Sequence, residues 1–163
     1  MISFRQLTLL ERVNLAFSDV DIKAFVSEGL LKIEPFDLGS LGPAGYDLRS
    51  AADYALRPLE AILISTLERV ELSRSLLGVL HIRSSFAREG VFASLALVDP
   101  GFRGQLTILL FNSGKRAIRI KKGERLVQIT FFKLHQEAEV GYQGRYQDSN
   151  GIVESARNEY SNE

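Results

Sequence analysis

Four short polar stretches interrupt a largely apolar pattern, and they hold most of the side chains with chemical capacity. "GPAGYDL" (42–48) sets Asp47 behind a Gly-rich turn. "RSSFAR" (83–88) places Arg83, Ser84 and Ser85 at the end of a strand-like run, with Arg88 on the helical turn that follows. "VDPGFRG" (98–104) carries Asp99, Phe102 and Arg103. "GERLVQITF" (123–131) puts Gln128 mid-strand on one face with Leu126 and Thr130. Such residues offer proton transfer through carboxylates and anion binding through guanidinium groups and hydroxyls. Each stretch alone also has a structural reading. Gly-Tyr-Asp makes a turn, Ser84 or Ser85 makes a helix N-cap, Asp-Pro-Gly makes a hairpin connection, and a strand glutamine bonds a neighbour.

Other chemistries fall away. The chain has no cysteine, which removes disulfides, thiolate nucleophiles and thiolate metal sites. Its two histidines, His81 and His135, stand far apart without a partner motif, so each reads as a lone strand or surface residue rather than a zinc ligand. The H-x-E and P-C-x-x-C pattern of zinc deaminases is absent, as is the G-x-x-x-x-G-K-[ST] phosphate loop. What remains is carboxylates, hydroxyls, arginines and a hard cation held by oxygen.

The elements that must position these residues show two periods. At 163 residues one domain with a full core is expected. Residues 1–34 read as an N-terminal helical segment: in "SDVDIKAFVSEGLLKI", Ser18 and Asp21 approximate a capping box, Ile22, Phe25 and Val26 recur at helical spacing, and Gly29 suits the stop. Residues 35–140 read as a β core. "AILISTLERVEL", "LLGVLHIRSS", "FASLALVD", "QLTILLFN", "RAIRIKKG" and "RLVQITFFKL" are short strand-like runs parted by turn residues, the pattern of a sandwich or barrel. "QLTILLFN" is apolar on both faces, which calls for cover on both sides. Residues 141–163 are polar and dotted with aromatics, and form a C-terminal arm. Twenty Lys+Arg balance twenty Asp+Glu, so no overall field draws nucleic acid or an anionic membrane. No apolar run reaches the roughly 18 residues of a membrane span, and a cytoplasmic location is expected.

Taken in order, "AGYDLRSAADYAL", "RSSFAREGV", "LVDPGFRGQLTILLFNSG" and "KKGERLVQITFF", spread over residues 44–134, resemble the trimeric dUTP pyrophosphatase (dUTPase) and dCTP deaminase superfamily. The ends, "SDVDIKAFVSEGLLKIEPF" and "RYQDSNGIVES", resemble the deaminase branch. The resemblance implies a mainly β fold, a distorted jelly-roll-like β-barrel (a dUTPase-like β-clip) with a short N-terminal helical region, assembled as a homotrimer.

It also implies roles. Asp99 corresponds to the dUTPase carboxylate that orients and deprotonates a water for attack on the α-phosphate. Leu95, Val98 and Phe102 fall in the nucleoside pocket, built on a β-hairpin around Asp99, with Phe102 where many dUTPases have a tyrosine against deoxyribose. Arg83, Ser84, Ser85 and Gln128 fall on phosphate-contacting positions. Arg145, Tyr146 and Gln147 of the arm would reach the triphosphate or the base. Asp47 is given a supporting or water-mediated metal role with Mg²⁺, and Arg88 and Arg103 supporting roles between subunits or toward phosphate.

The two branches differ at one residue. Deaminases of this superfamily carry a proton-shuttling glutamate three residues before Asn on the strand after the turn, and Leu109 stands there. Leucine exchanges no proton. The run Ser94-Leu95-Ala96-Leu97-Val98-Asp99 is likewise plainer than the deaminase Thr-Ala-His-Arg-Ile-Asp type. The expected activity is therefore hydrolysis of dUTP to dUMP and pyrophosphate. The alternatives are dCTP deamination, alone or combined with hydrolysis to dUMP, and a non-catalytic nucleotide-binding regulatory trimer.

Overall fold

The computed structural model describes residues 16–157. Helix α1 (Asp19–Ser27) starts at a complete capping box: Asp21 N–H donates to the Ser18 hydroxyl, and the Asp21 carboxylate accepts from Ser18 N–H at 2.9 Å. Gly29 ends it with φ +71°, a conformation that costs glycine nothing. Ile22 is buried, and Phe25 meets Phe17 edge-on with ring centroids 4.5 Å apart. The expected helical segment ends sooner than its 1–34 bounds. Residues 1–15 lie outside the described part, and Leu31–Glu34 forms strand β1 rather than helix. Leu31 and Ile33 point into the core while Lys32 and Glu34 point out, a two-residue alternation too short to stand out in sequence.

Ten more strands follow: β2 (Leu41–Gly42), β3 (Gly45–Arg49), β4 (Tyr54–Leu56), β5 (Ala61–Leu72), β6 (Leu76–Ile82), β7 (Val91–Ala93), β8 (Leu97–Val98), β9 (Arg103–Asn112), β10 (Ile118–Ile120) and β11 (Arg125–Lys133). Helix α2 (Ser84–Arg88) lies between β6 and β7. The fold is mainly β, as expected, in sheets that do not close into a continuous barrel. One sheet has the order β1-β5-β9-β7, a second β2-β3-β11-β6-β8, and β10 pairs with β4 alone. Alternate residues of both large sheets fill one core, among them Ile64, Val70, Ile108 and Leu110 from the first and Tyr46, Leu48, Ile129 and Phe131 from the second. Burying each such side chain contributes roughly 1.5–3 kcal/mol.

A buried ion pair ties the second sheet to β5. Glu68 is fully buried; its carboxylate accepts from Arg49 Nε at 2.5 Å and from Arg49 N–H at 2.8 Å. The guanidinium also reaches Asp37 and the Pro35 carbonyl. With every polar atom engaged, the pair avoids the penalty of a lone buried charge. Among the described residues no helix is long and apolar enough to cross a membrane.

Candidate functional site

Asp99, Pro100, Gly101 and Phe102 make a tight turn, with Phe102 N–H donating to the Asp99 carbonyl at 3.1 Å. Pro at the second position and Gly at the third, with φ +82°, are what a type II turn requires. The expected hairpin is not what this turn joins. β8 pairs with β6 in the second sheet, whereas β9 pairs with β5 and β7 in the first. The chain crosses between sheets at Asp99, and β8 is left as an edge strand with no strand on its outer side among the described residues.

A cleft of about 460 Å³ opens where the strands part. Asp99, Val98 and Phe102 line it with Leu63, Leu97 and Leu109. Leu109 is 40% exposed and its main chain is fixed by Ser94, which donates N–H to the Leu109 carbonyl at 2.9 Å and accepts from Leu109 N–H at 3.0 Å. Leu95 does not line the cleft; its neighbours Ser94 and Ala96 do. Asp99 is exposed, and its carboxylate has no protein partner among the described residues. A carboxylate without a protein partner among the described residues is chemically able to accept a proton from water.

The C-terminal arm folds over this cleft on its own chain. Gly101 is the contact point: a Cβ there would lie 2.7 Å from Gly141 Cα, and Tyr142 N–H donates to the Pro100 carbonyl at 2.8 Å. Tyr142 meets Phe102 edge-on at 5.6 Å and lines the cleft. Beyond it the arm runs beside β9. Asp148 N–H donates to the Arg103 carbonyl, Gln105 N–H to the Ser149 carbonyl, and Val153 N–H to the Thr107 hydroxyl. The Asp148 carboxylate is gripped by Arg103 at 2.7 and 2.8 Å and by Arg69 at 2.5 Å. Hydrogen bonds from Arg103 first, then Arg69, hold its pKa down to about 2.

The arm residues make hydrogen bonds within the chain. Tyr146 lines the cleft, its hydroxyl accepting from Ala156 N–H. Gln147 does not turn toward a ligand: its amide donates to the Gly101 and Tyr142 carbonyls and accepts from Arg103 N–H. Arg145 donates to the Ala156 carbonyl. Arg103 pairs with Asp148 through two hydrogen bonds. Sequence reasoning passed over Tyr142 and Glu154, both on the cleft wall. The aromatic spacing of "GYQGRYQ" was a signal for the first; nothing local marked the second.

The other residues gather elsewhere on the chain. Asp47, on β3, forms an ion pair with Arg83, whose Nε lies 3.0 Å from the carboxylate, and has Arg125 Nη1 at 3.9 Å. Arg83 also donates to the Arg125 carbonyl. Gln128 stands directly across from Asp47 on the neighbouring strand. Arg83 is the N-cap of α2 with no side-chain cap bond, so neither serine caps the helix; Ser84 and Ser85 are exposed at its start and Arg88 is exposed at its last turn. None of these residues lines the Asp99 cleft. One chain therefore carries two separate groups of these residues, one at an apolar cleft with a carboxylate and one rich in arginine.

The donor set speaks to metal binding. No three His, Asp or Glu side chains among the described residues come together as a cation cage, and Asp47 is neutralised by two guanidinium groups.

Comparison with known proteins places this arrangement. A family model described as dCTP deaminase-like matches residues 50–134. A protein named dCTP deaminase from Thermococcus gammatolerans is 44% identical over 140 residues, covering 77% of this chain and 89% of that one. A probable deoxyuridine 5′-triphosphate nucleotidohydrolase of Sulfolobus islandicus rod-shaped virus 1 is 30% identical over 151 residues, covering 83% of this chain and 95% of that one. The crystal structure of a 2′-deoxycytidine 5′-triphosphate deaminase from Agrobacterium tumefaciens shares the fold, with a TM-score of 0.65 at 18% identity over 74% of this chain and 49% of that one.

Proposed function

Since the chain belongs to the dCTP deaminase-like family within the dUTPase and dCTP deaminase superfamily, we propose that its substrate is a pyrimidine deoxynucleoside triphosphate and its reaction the hydrolysis of dUTP to dUMP and pyrophosphate. The observation that carries the choice is Leu109. It sits on the floor of the cleft where a deaminase of this superfamily needs a carboxylate, and an aliphatic side chain cannot move protons between water, ring nitrogen and departing ammonia.

In this reading the base enters between β8 and β9 and pairs with the main chain of the β8 edge, while the sugar packs on Phe102, itself braced by Tyr142. Asp99 takes a proton from the attacking water, which forms the new bond to the α-phosphorus as the bond to pyrophosphate breaks. Magnesium would travel with the triphosphate as part of the substrate and would lessen the charge on its oxygens. Asp47 holds Arg83 in position rather than binding metal. Arg83, Ser84, Ser85 and Gln128 meet the phosphates, but from a neighbouring copy, because on one chain they do not face the cleft. A homotrimer with sites between subunits satisfies that need. Leu97 and Phe92, 55% and 64% exposed in the single chain, are apolar surface that such an assembly has available to bury. The docked arm then excludes all water except the nucleophile.

The second reading, dCTP deamination with or without hydrolysis, is favoured by the name of the 44% identical relative and by Glu154, a second carboxylate lining the same cleft as Asp99. One product assay decides. Purified protein with Mg²⁺ is given dUTP or dCTP, and pyrophosphate, ammonia and nucleotides are measured. Pyrophosphate and dUMP from dUTP, with dCTP intact, support hydrolysis. Ammonia from dCTP overturns it, and tight binding of both without any product would make the protein a nucleotide-responsive regulator.

A further inference from the structure

Resting on the reading that the Arg83–Gln128 face takes a triphosphate, we propose that His81 is a further phosphate-binding residue, a proton-dependent hydrogen-bond donor to the distal phosphates. Sequence alone left His81 as an isolated strand histidine. The sheet register gives it neighbours. Gln128 on β11 stands opposite Asp47 on β3 and, on its other side, opposite His81 on β6. Residues directly opposite in antiparallel strands project from the same face with Cβ atoms about 4.5–5.5 Å apart. The inward positions of these strands, Tyr46, Leu48, Ile129 and Leu80, are in the core, so Asp47, Gln128 and His81 form a row on the outer face.

The charges around that row favour an anion. Asp47 meets Arg83 and Arg125, leaving two cations against one carboxylate. On β11, His81 faces only the neutral Gln128 and Thr130. On its other side β8 brings only Leu97 and Val98 against Val79 and Gly78. A net positive, exposed patch attracts phosphate.

The ring's bonding gives the proton dependence. His81 Nε2 is 3.1 Å from Thr130 Oγ1, and that hydroxyl donates its own proton to the Val79 carbonyl. Thr130 therefore accepts from Nε2–H, which assigns the neutral tautomer from the network. Nδ1 has no protein partner among the described residues. In the neutral ring it shows a lone pair, which repels a phosphate oxygen; once protonated it becomes a donor. In the tautomer this network assigns, Nδ1 meets a phosphate oxygen as a donor only when the ring carries both protons.

The test uses the intact assembled protein and the non-hydrolysable α,β-imido forms of dUTP and dCTP with Mg²⁺, titrated by calorimetry between pH 6 and 8.5 in buffers of different ionisation heat. Comparing variants cancels the titration of the phosphate itself. The expected result is that His81→Gln binds on the order of tenfold more weakly than wild type at pH 6, the scale of one charge-assisted bond, and equally at pH 8.5, with less proton uptake. His81→Lys, a cation throughout, keeps tight binding across the range. Binding of dUMP, which lacks distal phosphates, is the same in all three. Parallel pH profiles and equal proton uptake in wild type and His81→Gln would overturn the proposal, as would loss of assembly in both variants. Failure of wild type to bind either analogue at any pH would overturn the triphosphate reading itself, and this inference with it.

Discussion

Replacing Asp99 with asparagine tests the proposed chemistry most directly. Asparagine keeps the size of the side chain and is favoured at the first position of the turn that Asp99 opens. The turn's own bond, from Phe102 N–H to the residue 99 carbonyl, is untouched. The carboxylate is exposed and has no protein partner among the described residues, so stability is expected to stay within about 0.5 kcal/mol. Binding of α,β-imido-dUTP should hold or tighten, because a negative charge near the phosphates is removed. Turnover should collapse. A positioned general base accounts for roughly 10²–10⁴ in rate; at about 1.36 kcal/mol per decade that is about 2.7–5.4 kcal/mol of barrier. Pyrophosphate release under single-turnover conditions reads kcat without product release, and calorimetry reads the affinity. A variant within threefold of wild type would refute Asp99 as the base. A variant that loses binding in step with rate would make Asp99 a substrate-holding residue instead.

Further outcomes are expected. Leu109→Glu puts a carboxylate on the cleft floor beside Leu63, and should yield ammonia from dCTP above the wild-type level; no ammonia on prolonged incubation would mean that the ring is not seated over Leu109. Gly101→Ala brings a Cβ within 2.7 Å of Gly141 Cα at φ +82°, a strain of about 1–3 kcal/mol that the arm relieves by lifting, so trypsin should cut after Arg145 faster than in wild type. Glu68→Gln leaves Arg49 without its buried charge and should cost about 3 kcal/mol, seen as a lower midpoint in denaturant; an unchanged midpoint would refute the pairing. For Asp148, whose folded pKa is held down to about 2, below the ordinary carboxylate range, the ion-pair contribution is complete above the unfolded value and is lost as pH falls through the folded one. Arm docking followed by tyrosine fluorescence should be flat from pH 9 to 5 and loosen between about 4 and 2, while release near neutral pH would show that another group holds the arm.

Much of the local structure was legible because it is written in local sequence. Ser18 and Asp21 announce the start of α1, and Gly29 its end. The period-two run of residues 61–72 is β5 as observed, and Asp-Pro-Gly makes the turn its residue types demand. Leu109, read against the superfamily, raised the chemical question before any fold was seen. Where the signal was only four residues long, as at Leu31–Glu34, a strand merged into the preceding helical pattern.

Register and sheet membership were decided by tertiary structure. That β8 and β9 leave the Asp99 turn into different sheets, opening a cleft, depends on pairings with β6 and β5 that lie far off along the chain. The same holds for Arg83 meeting Asp47, for Gln147 clasping the turn rather than a ligand, and for His81 standing beside Gln128 across 47 residues of sequence. Sequence determined which side chains alternate and where the chain turns, because those preferences act over a few bonds. Which strands meet, and in what register, is set by burying one shared core while satisfying every buried main-chain group, a condition on the whole chain that no single stretch contains.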